Sequence, residues 1–216
     1  DNFVSAPNSL KIEPGSNMDQ LLLLGNQTSG NWAVSFKMFI PTGKAGYINI
    51  QQFETPAIQW QQQTWFNSDG TGNLQANNSN NAFSYPQNVW FDVVQEVDLD
   101  NDITKFWVNG VLVKTWQYSK NYFGAVGTKQ LGAINFFPAT ANDLFYVDDV
   151  TLCGPASPIG DYIARRYTKK YAVGTTTINL EITDKSGNPA SCSFDVTVAD
   201  NEMPLVVTTN HSATLA

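Results

Sequence analysis

Residues 89–118, VWFDVVQEVDLDNDITKFWVNGVLVKTWQY, decide the fold class. Apolar, β-branched and aromatic residues fill 89–98, 103–109 and 111–118, with turn residues between them. Asp100-Asn101-Asp102 closes the first gap and Asn109-Gly110 the second; Asn-Gly is a strong two-residue hairpin signal because both positions accept positive φ. Working outward, similar short runs recur at 9–13, 20–24, 32–40, 45–53, 57–62, 64–67, 74–76, 131–138 and 144–152, and Ser68-Asp69-Gly70 is a further turn. Helical periodicity is almost absent. A dozen strands with no crossover helix predict an all-β antiparallel sandwich or barrel.

Only 14% of the 216 residues are charged and 22 are Asn, so amides and hydroxyls hydrate the surface, as is common in extracellular β proteins. The net charge of −7 leaves no basic excess for phosphates and argues against nucleic acid. The longest aliphatic run, 21–24, falls far short of the ~20 apolar residues of a membrane helix, so no membrane insertion is expected. His211, the single histidine, lies in a polar tail, which removes His-based triads, His-rich zinc sites and a His general base. Cys153 and Cys192 suit either one disulfide in an oxidising compartment or two buried thiols. The disulfide would contribute roughly 3–4 kcal/mol in the chain-entropy model. No Met precedes Asp1, so the chain is expected to be a mature or excised portion of something longer.

Composition shifts after Cys153. Residues 154–160, GPASPIG, read as a linker, and a basic cluster follows, Arg165, Arg166, Lys169 and Lys170, which reads as a solvated face or a contact for an acidic partner. Two more strands are expected at 175–183 and 190–199. Two strands bury no core alone, so this region is either docked on the first or an incomplete copy of a larger unit.

The segments SAPNSLKI (5–12), NWAVSFKMFIP (31–41), VWFDVVQEVDLDND (89–102), KFWVNGVLV (105–113) and YVDDVTL (146–152) resemble the concanavalin A-like, laminin-G-like jelly-roll domains of secreted bacterial proteins. The stretch 173–204, VGTTTINLEITDKSGNPASCSFDVTVADNEMP, resembles the end of a HYR module, an immunoglobulin-like repeat. The module's usual opening half is shortened or missing: either Cys153 onward substitutes for it, or residues are missing between about 154 and 172. The resemblance implies a jelly roll over 1–153, a linker or shortened module start over 154–172, a partial HYR-like module over 173–204, and a tail or further module over 205–216. It also implies a surface protein exported by the type 9 route.

For catalysis, laminarinase-like jelly rolls carry Glu-x-Asp-x-x-Glu on one strand; here Glu96 and Asp98 occur, but Asn101 fills the second Glu position. Asp98, Asp100 and Asp102 have the opening spacing of a calcium loop without its Gly and distal Glu, and read better as a hairpin turn. Of Asp148 and Asp149, adjacent on a strand, one should point inward. That carboxylate must be hydrogen-bonded or hold a structural Ca²⁺, which related jelly rolls often bind at the closing strand.

Sugar recognition fits best, since pyranose C–H faces stack on aromatic rings and hydroxyls pair with amides. Gln59, Trp60, Gln61 and Trp65 fall within seven residues. With a regular type I′ turn at Asn109-Gly110, Phe106, Val108, Val111 and Val113 share the core face. Lys105, Trp107, Leu112, Lys114, Trp116 and Tyr118 then face outward as a platform for an acidic or sulfated glycan, or pack under a second layer; a bulge would reverse the faces. Trp32 and Trp90 are expected in the core. Three Asn-x-Ser/Thr sequons begin at Asn26, Asn77 and Asn210, of little weight in a bacterial protein.

The expected function is adhesion or glycan binding by a non-catalytic, secreted or outer-cell-surface protein, its partner a polysaccharide or surface glycan. Two rivals stand beside it: a structural or cargo protein binding secretion or gliding machinery, and an accessory domain of an exported hydrolase.

Overall fold

The computed structural model describes residues 3–5, 8–15, 20–154, 173–183 and 189–199. The chain divides into two compact units, residues 1–166 and 167–216. No helix among the described residues is long and apolar enough to cross a membrane.

The first unit holds twelve strands: β1 (Leu10–Ile12), β2 (Gln20–Gln27), β3 (Asn31–Phe39), β4 (Gly46–Gln51), β5 (Trp60–Phe66), β6 (Thr71–Ala76), β7 (Ser79–Ser84), β8 (Trp90–Asp98), β9 (Ile103–Val108), β10 (Val111–Gln117), β11 (Leu131–Phe136) and β12 (Phe145–Cys153). They form two six-stranded sheets. The first runs β1-β12-β3-β8-β9-β10 and the second β2-β11-β4-β5-β6-β7. Every ladder is antiparallel. The fold is the all-β jelly-roll sandwich expected.

Alternation in the strands supplies the core. Val34, Phe36 and Met38 of β3 and Val93 of β8 turn inward from the first sheet, and Ile48, Ile50, Phe66 and Leu74 from the second. Phe66 sits at the centre of an aromatic cluster, with Phe83, Tyr85 and Phe91 at ring-centroid distances of 5.4, 5.2 and 5.9 Å. Trp32 is partly buried and packs against this core, while Trp90 is half-buried beside Phe39 at 5.5 Å.

Three local features differ from the sequence reading. One continuous strand, β5, replaces the two expected on either side of Gln63, because Gln62, Gln63 and Thr64 pair in unbroken register with Ile50, Asn49 and Ile48 of β4. An unexpected strand, β7, follows a turn in which Asn77 and Asn78 both take positive φ, 51° and 55°. The β9–β10 hairpin carries a bulge between Leu112 and Lys114.

In the second unit, β13 (Gly174–Thr183) and β14 (Pro189–Val198) pair antiparallel from Gly174↔Val198 to Thr183↔Pro189. Thr177 Oγ1 donates to Asp195 Oδ1 across the ladder at 2.6 Å. These strands lie within a residue of those expected. The basic cluster from Arg165 to Lys170 and His211 lie outside the described residues.

Candidate functional site

Two bulges decide which tryptophans meet solvent. Trp60 and Trp65 are an odd number of residues apart, so a regular strand would place them on opposite faces. In β5 the register passes from Ile50↔Gln62 to Gln51↔Trp60, leaving Gln61 as the extra residue. The shift brings Trp60 onto the face of Trp65, outside the sandwich. Gln61 itself is fully buried, and its Nε2 donates to the Tyr118 carbonyl at 3.4 Å, which corrects its expected place in a wet site.

The second bulge acts in the opposite sense. Val108 pairs with Val111 and Trp107 with Leu112, as a regular turn requires, but Phe106 pairs with Lys114 and Thr104 with Trp116. Val113 is the extra residue, and the parity of β10 reverses beyond it. Trp116 and Tyr118 therefore turn into the core, 5% and 0% exposed, which corrects their outward assignment. Lys114 reaches to Ser79 Oγ and, at 3.4 Å, to Asn81 Oδ1 on β7. Of the expected platform, only Lys105, Trp107 and Leu112 keep the outer face of the first sheet.

The outer face of the second sheet holds a groove of about 310 Å³, lined by Tyr47, Asn49, Gln51, Pro56, Ala57, Trp60, Trp65, Asn135, Phe137 and Ala139. Tyr47, Asn49 and Gln51 alternate along β4 and pair with Trp65, Gln63 and Trp60. Asn49 also pairs with Asn135 of β11. These four polar residues, Tyr47, Asn49, Gln51 and Asn135, are at most 6% exposed.

Their side chains are fixed in a row. Gln51 Nε2 donates to Asn49 Oδ1 (3.1 Å), Asn49 Nδ2 to Tyr47 Oη (3.4 Å), and Tyr47 Oη to Gln63 Oε1 (2.7 Å). The Ala57 amide donates to Gln51 Oε1 at 3.1 Å and ties the row to the wall. Tyr47 packs on Trp65 at 4.5 Å between centroids. The result is an ordered polar floor between apolar and aromatic walls, with no carboxylate, lysine, arginine, histidine or cysteine among the lining residues.

Gln59 lies beside this groove rather than in it: its Oε1 accepts from the Thr128 amide at 3.2 Å and its carbonyl from the Gln52 amide at 3.0 Å. Thus Trp60 and Trp65 come together, Gln59 holds a neighbouring loop, and Lys105 and Trp107 occupy the other sheet. The sequence reading missed Tyr47, Asn49, Gln51, Asn135 and Phe137. The first three carried a readable signal, polar residues at every second position of a strand.

A second depression, about 300 Å³, lies on the first sheet and includes Asn31, Glu96, Asp98, Ile103 and Lys105. Burial pushes the Glu96 carboxyl up from its ordinary value, opposed by Lys105, whose Nζ is 3.6 Å away. Asp98 is occupied in a turn: its oxygens accept the Asn101 amide and Nδ2 at 2.9 and 2.8 Å. Asp100 accepts from the Gly30 amide, and Asp102 from Gln117 and Ser119. The three aspartates thus serve separate backbone and side-chain partners.

At the closing strand, Val147 faces the core. Asp148 lies on the outer face and Asp149, with φ of 49°, sits exposed in a bulge. Neither enters the core, because the bulge breaks alternation there. Asp148 is buried against residues 4 and 5: its oxygens accept the Val4 and Ser5 amides (2.7 and 3.0 Å), Ser5 Oγ (3.1 Å) and the Asp149 amide (2.8 Å). Burial would raise its pKa, but these donors outweigh it and hold the carboxyl below its ordinary value. Among the described residues these N–H and O–H donors satisfy the carboxylate as a hydrogen-bonded group, and a Ca²⁺ ion at Asp148 would need oxygen ligands in place of the amide donors. Cys153 ends β12, half-buried and unbridged among the described residues; the side chain of Cys192, its expected partner, lies outside them.

Residues 164–198 match the family model described as the HYR domain. No curated protein matches the chain. Among solved structures, a sialidase aligns with 78% of this chain at a TM-score of 0.50 and 12% identity. The chain spans only 18% of that sialidase, so the likeness concerns the sandwich fold. A galectin from Caenorhabditis elegans aligns with 69% of this chain and 99% of its own at 13% identity, TM-score 0.43. The carbohydrate binding module CBM66 from Bacillus subtilis aligns with 67% of this chain and 91% of its own at 12% identity, TM-score 0.43.

Proposed function

We propose that this chain is a non-catalytic glycan-binding module of a secreted or cell-surface adhesion protein. The groove of the second sheet is the recognition surface and the HYR-like segment a spacer. The observation that carries the reading is the joined floor of Tyr47, Asn49 and Gln51 between Trp60 and Trp65. Each amide offers a donor and an acceptor, the pairing a sugar hydroxyl needs, and the indoles offer faces to its C–H groups. Hydrolysis of a glycoside needs two carboxyls on one cleft; the groove lining has none, and in the second depression Asp98 is held by Asn101 and Glu96 lies against Lys105.

Affinity electrophoresis through gels containing plant and algal polysaccharides tests this. The wild-type chain should be retarded by at least one polymer and Trp65→Ala by none. Equal mobility of the two proteins in every gel would contradict the proposal.

A second reading, binding of protein partners such as secretion or gliding components, is favoured by edge strand β2, which leaves Leu22 and Leu23 39% and 57% exposed. Pull-down with wild type but not with Leu23→Lys would support it. An exported hydrolase carrying this chain as an accessory module would use the same groove.

A further inference from the structure

Resting on the glycan reading of the groove, we infer that the site continues past Trp60 onto a rigid aromatic ridge, Tyr122 and Phe123, and takes an extended, uncharged polysaccharide along its length. Trp60, a wall of the groove, meets the Tyr122 ring edge-to-face at 6.1 Å. Tyr122 in turn lies 3.8 Å from Phe123, the planes inclined by 36°. Phe123 is 67% exposed and Val126, in the same turn, 73%. The three rings make a continuous apolar strip leading away from the polar floor.

An exposed phenylalanine on a slack loop would have little meaning, but this turn is held from three directions. Asn121 Oδ1 accepts the amides of Phe123 and Ala125 at 3.1 and 3.0 Å, and the Asn121 carbonyl accepts that of Gly124 at 2.9 Å. The Tyr122 amide donates to the Trp60 carbonyl at 3.2 Å, tying the turn to β5. The Asn77 and Asn78 amides donate to the carbonyls of Asn121 and Tyr122 at 3.2 and 2.9 Å, tying it to the β6–β7 turn. Phe123 is therefore presented to solvent by fixed backbone, and a ligand stacking on it has little left to order.

Charge selects the class of chain. Neither the groove lining nor residues 121–127 include a charged side chain, and the lysines that flank the turn, Lys120 (whose backbone bridges Val126) and Lys129, are not among the groove-lining residues. Sulfates or carboxylates seated in the groove would therefore find no cation to offset their desolvation. A single terminal sugar would fill the groove and leave the ridge bare, whereas a chain lying along the surface covers both.

The test begins with gels of laminarin, galactomannan and xyloglucan as neutral probes and of fucoidan and alginate as acidic ones. Size-fractionated oligosaccharides of a retained neutral polymer are then titrated by calorimetry into wild type and Phe123→Ala. Wild-type affinity should rise with chain length and be unaffected by added salt. Phe123→Ala should match wild type on the shortest fragments and fall about tenfold behind on the longest, the scale of losing one aromatic anchor. Equal affinity of the two proteins at every length, with Trp65→Ala inactive, would overturn the ridge alone. Salt-sensitive retention confined to the acidic gels would overturn the uncharged class, and no retention in any gel would remove the groove reading with it.

Discussion

Replacing Trp116 and Trp65 by alanine separates a core tryptophan from a surface one, although the two look alike in the sequence. Trp116 is 5% exposed, turned inward by the extra residue at Val113. Truncating a buried indole costs about 3–5 kcal/mol through lost transfer energy and the cavity left behind. For a protein of this size that corresponds to a fall in melting temperature of roughly 6–20 °C. Trp116 Nε1 is buried with no hydrogen-bond partner among the described residues. Trp116→Phe therefore removes an unsatisfied donor, worth about 1–3 kcal/mol, along with part of the indole, and should stay within about 1 kcal/mol of wild type. Trp65 is half-buried on the outer face, so Trp65→Ala should cost less than about 2 kcal/mol and abolish glycan retention. Urea denaturation followed by far-ultraviolet dichroism measures all three. A Trp116→Ala protein as stable as wild type, or one that keeps its stability and loses only retention, would refute the register argument.

Asp148→Ala should lower stability by about 2 kcal/mol by freeing the donors of residues 4, 5 and 149. Because its folded pKa lies below the ordinary value, the stability from Asp148 is fully present above about pH 4 and lost as pH falls through the folded value. Asp148→Asn should flatten that acid limb of the melting-temperature profile. Adding a chelator to wild type should leave the melting temperature unchanged, since N–H and O–H donors satisfy Asp148. Gly132→Ala should destabilise by more than about 1 kcal/mol in thermal melts, because the new Cβ would stand 2.3 Å from the Phe53 carbonyl carbon, a backbone atom that cannot swing aside.

The sandwich itself was legible because strand alternation and turn chemistry agree over most of the chain, as at Asn109-Gly110 between β9 and β10. β7 was not legible. Its Ser79-Asn80-Asn81 start reads as loop, and it is a strand because β6 pairs with it and Phe83 packs near Phe66 and Phe106. Bulges set the limit on the site. A single extra residue reverses every later side chain, and nothing in the residues around Gln61 or Val113 marks them as the inserted ones. The alternation Tyr47, Asn49, Gln51 was available to be read. Its partner Asn135 was not, because β11 joins β4 from far along the chain and only the sheet order brings them side by side.

Nuclear magnetic resonance titration of the labelled chain with an oligosaccharide of a retained polymer tests the glycan-holding claim most directly. The account predicts shifts of the Trp60 and Trp65 indole N–H signals and the Asn49 and Gln51 side-chain amides, with the sugar recovered intact. Shifts confined to Lys105 and Trp107 on the opposite sheet, or an oligosaccharide cleaved during the titration, would contradict it.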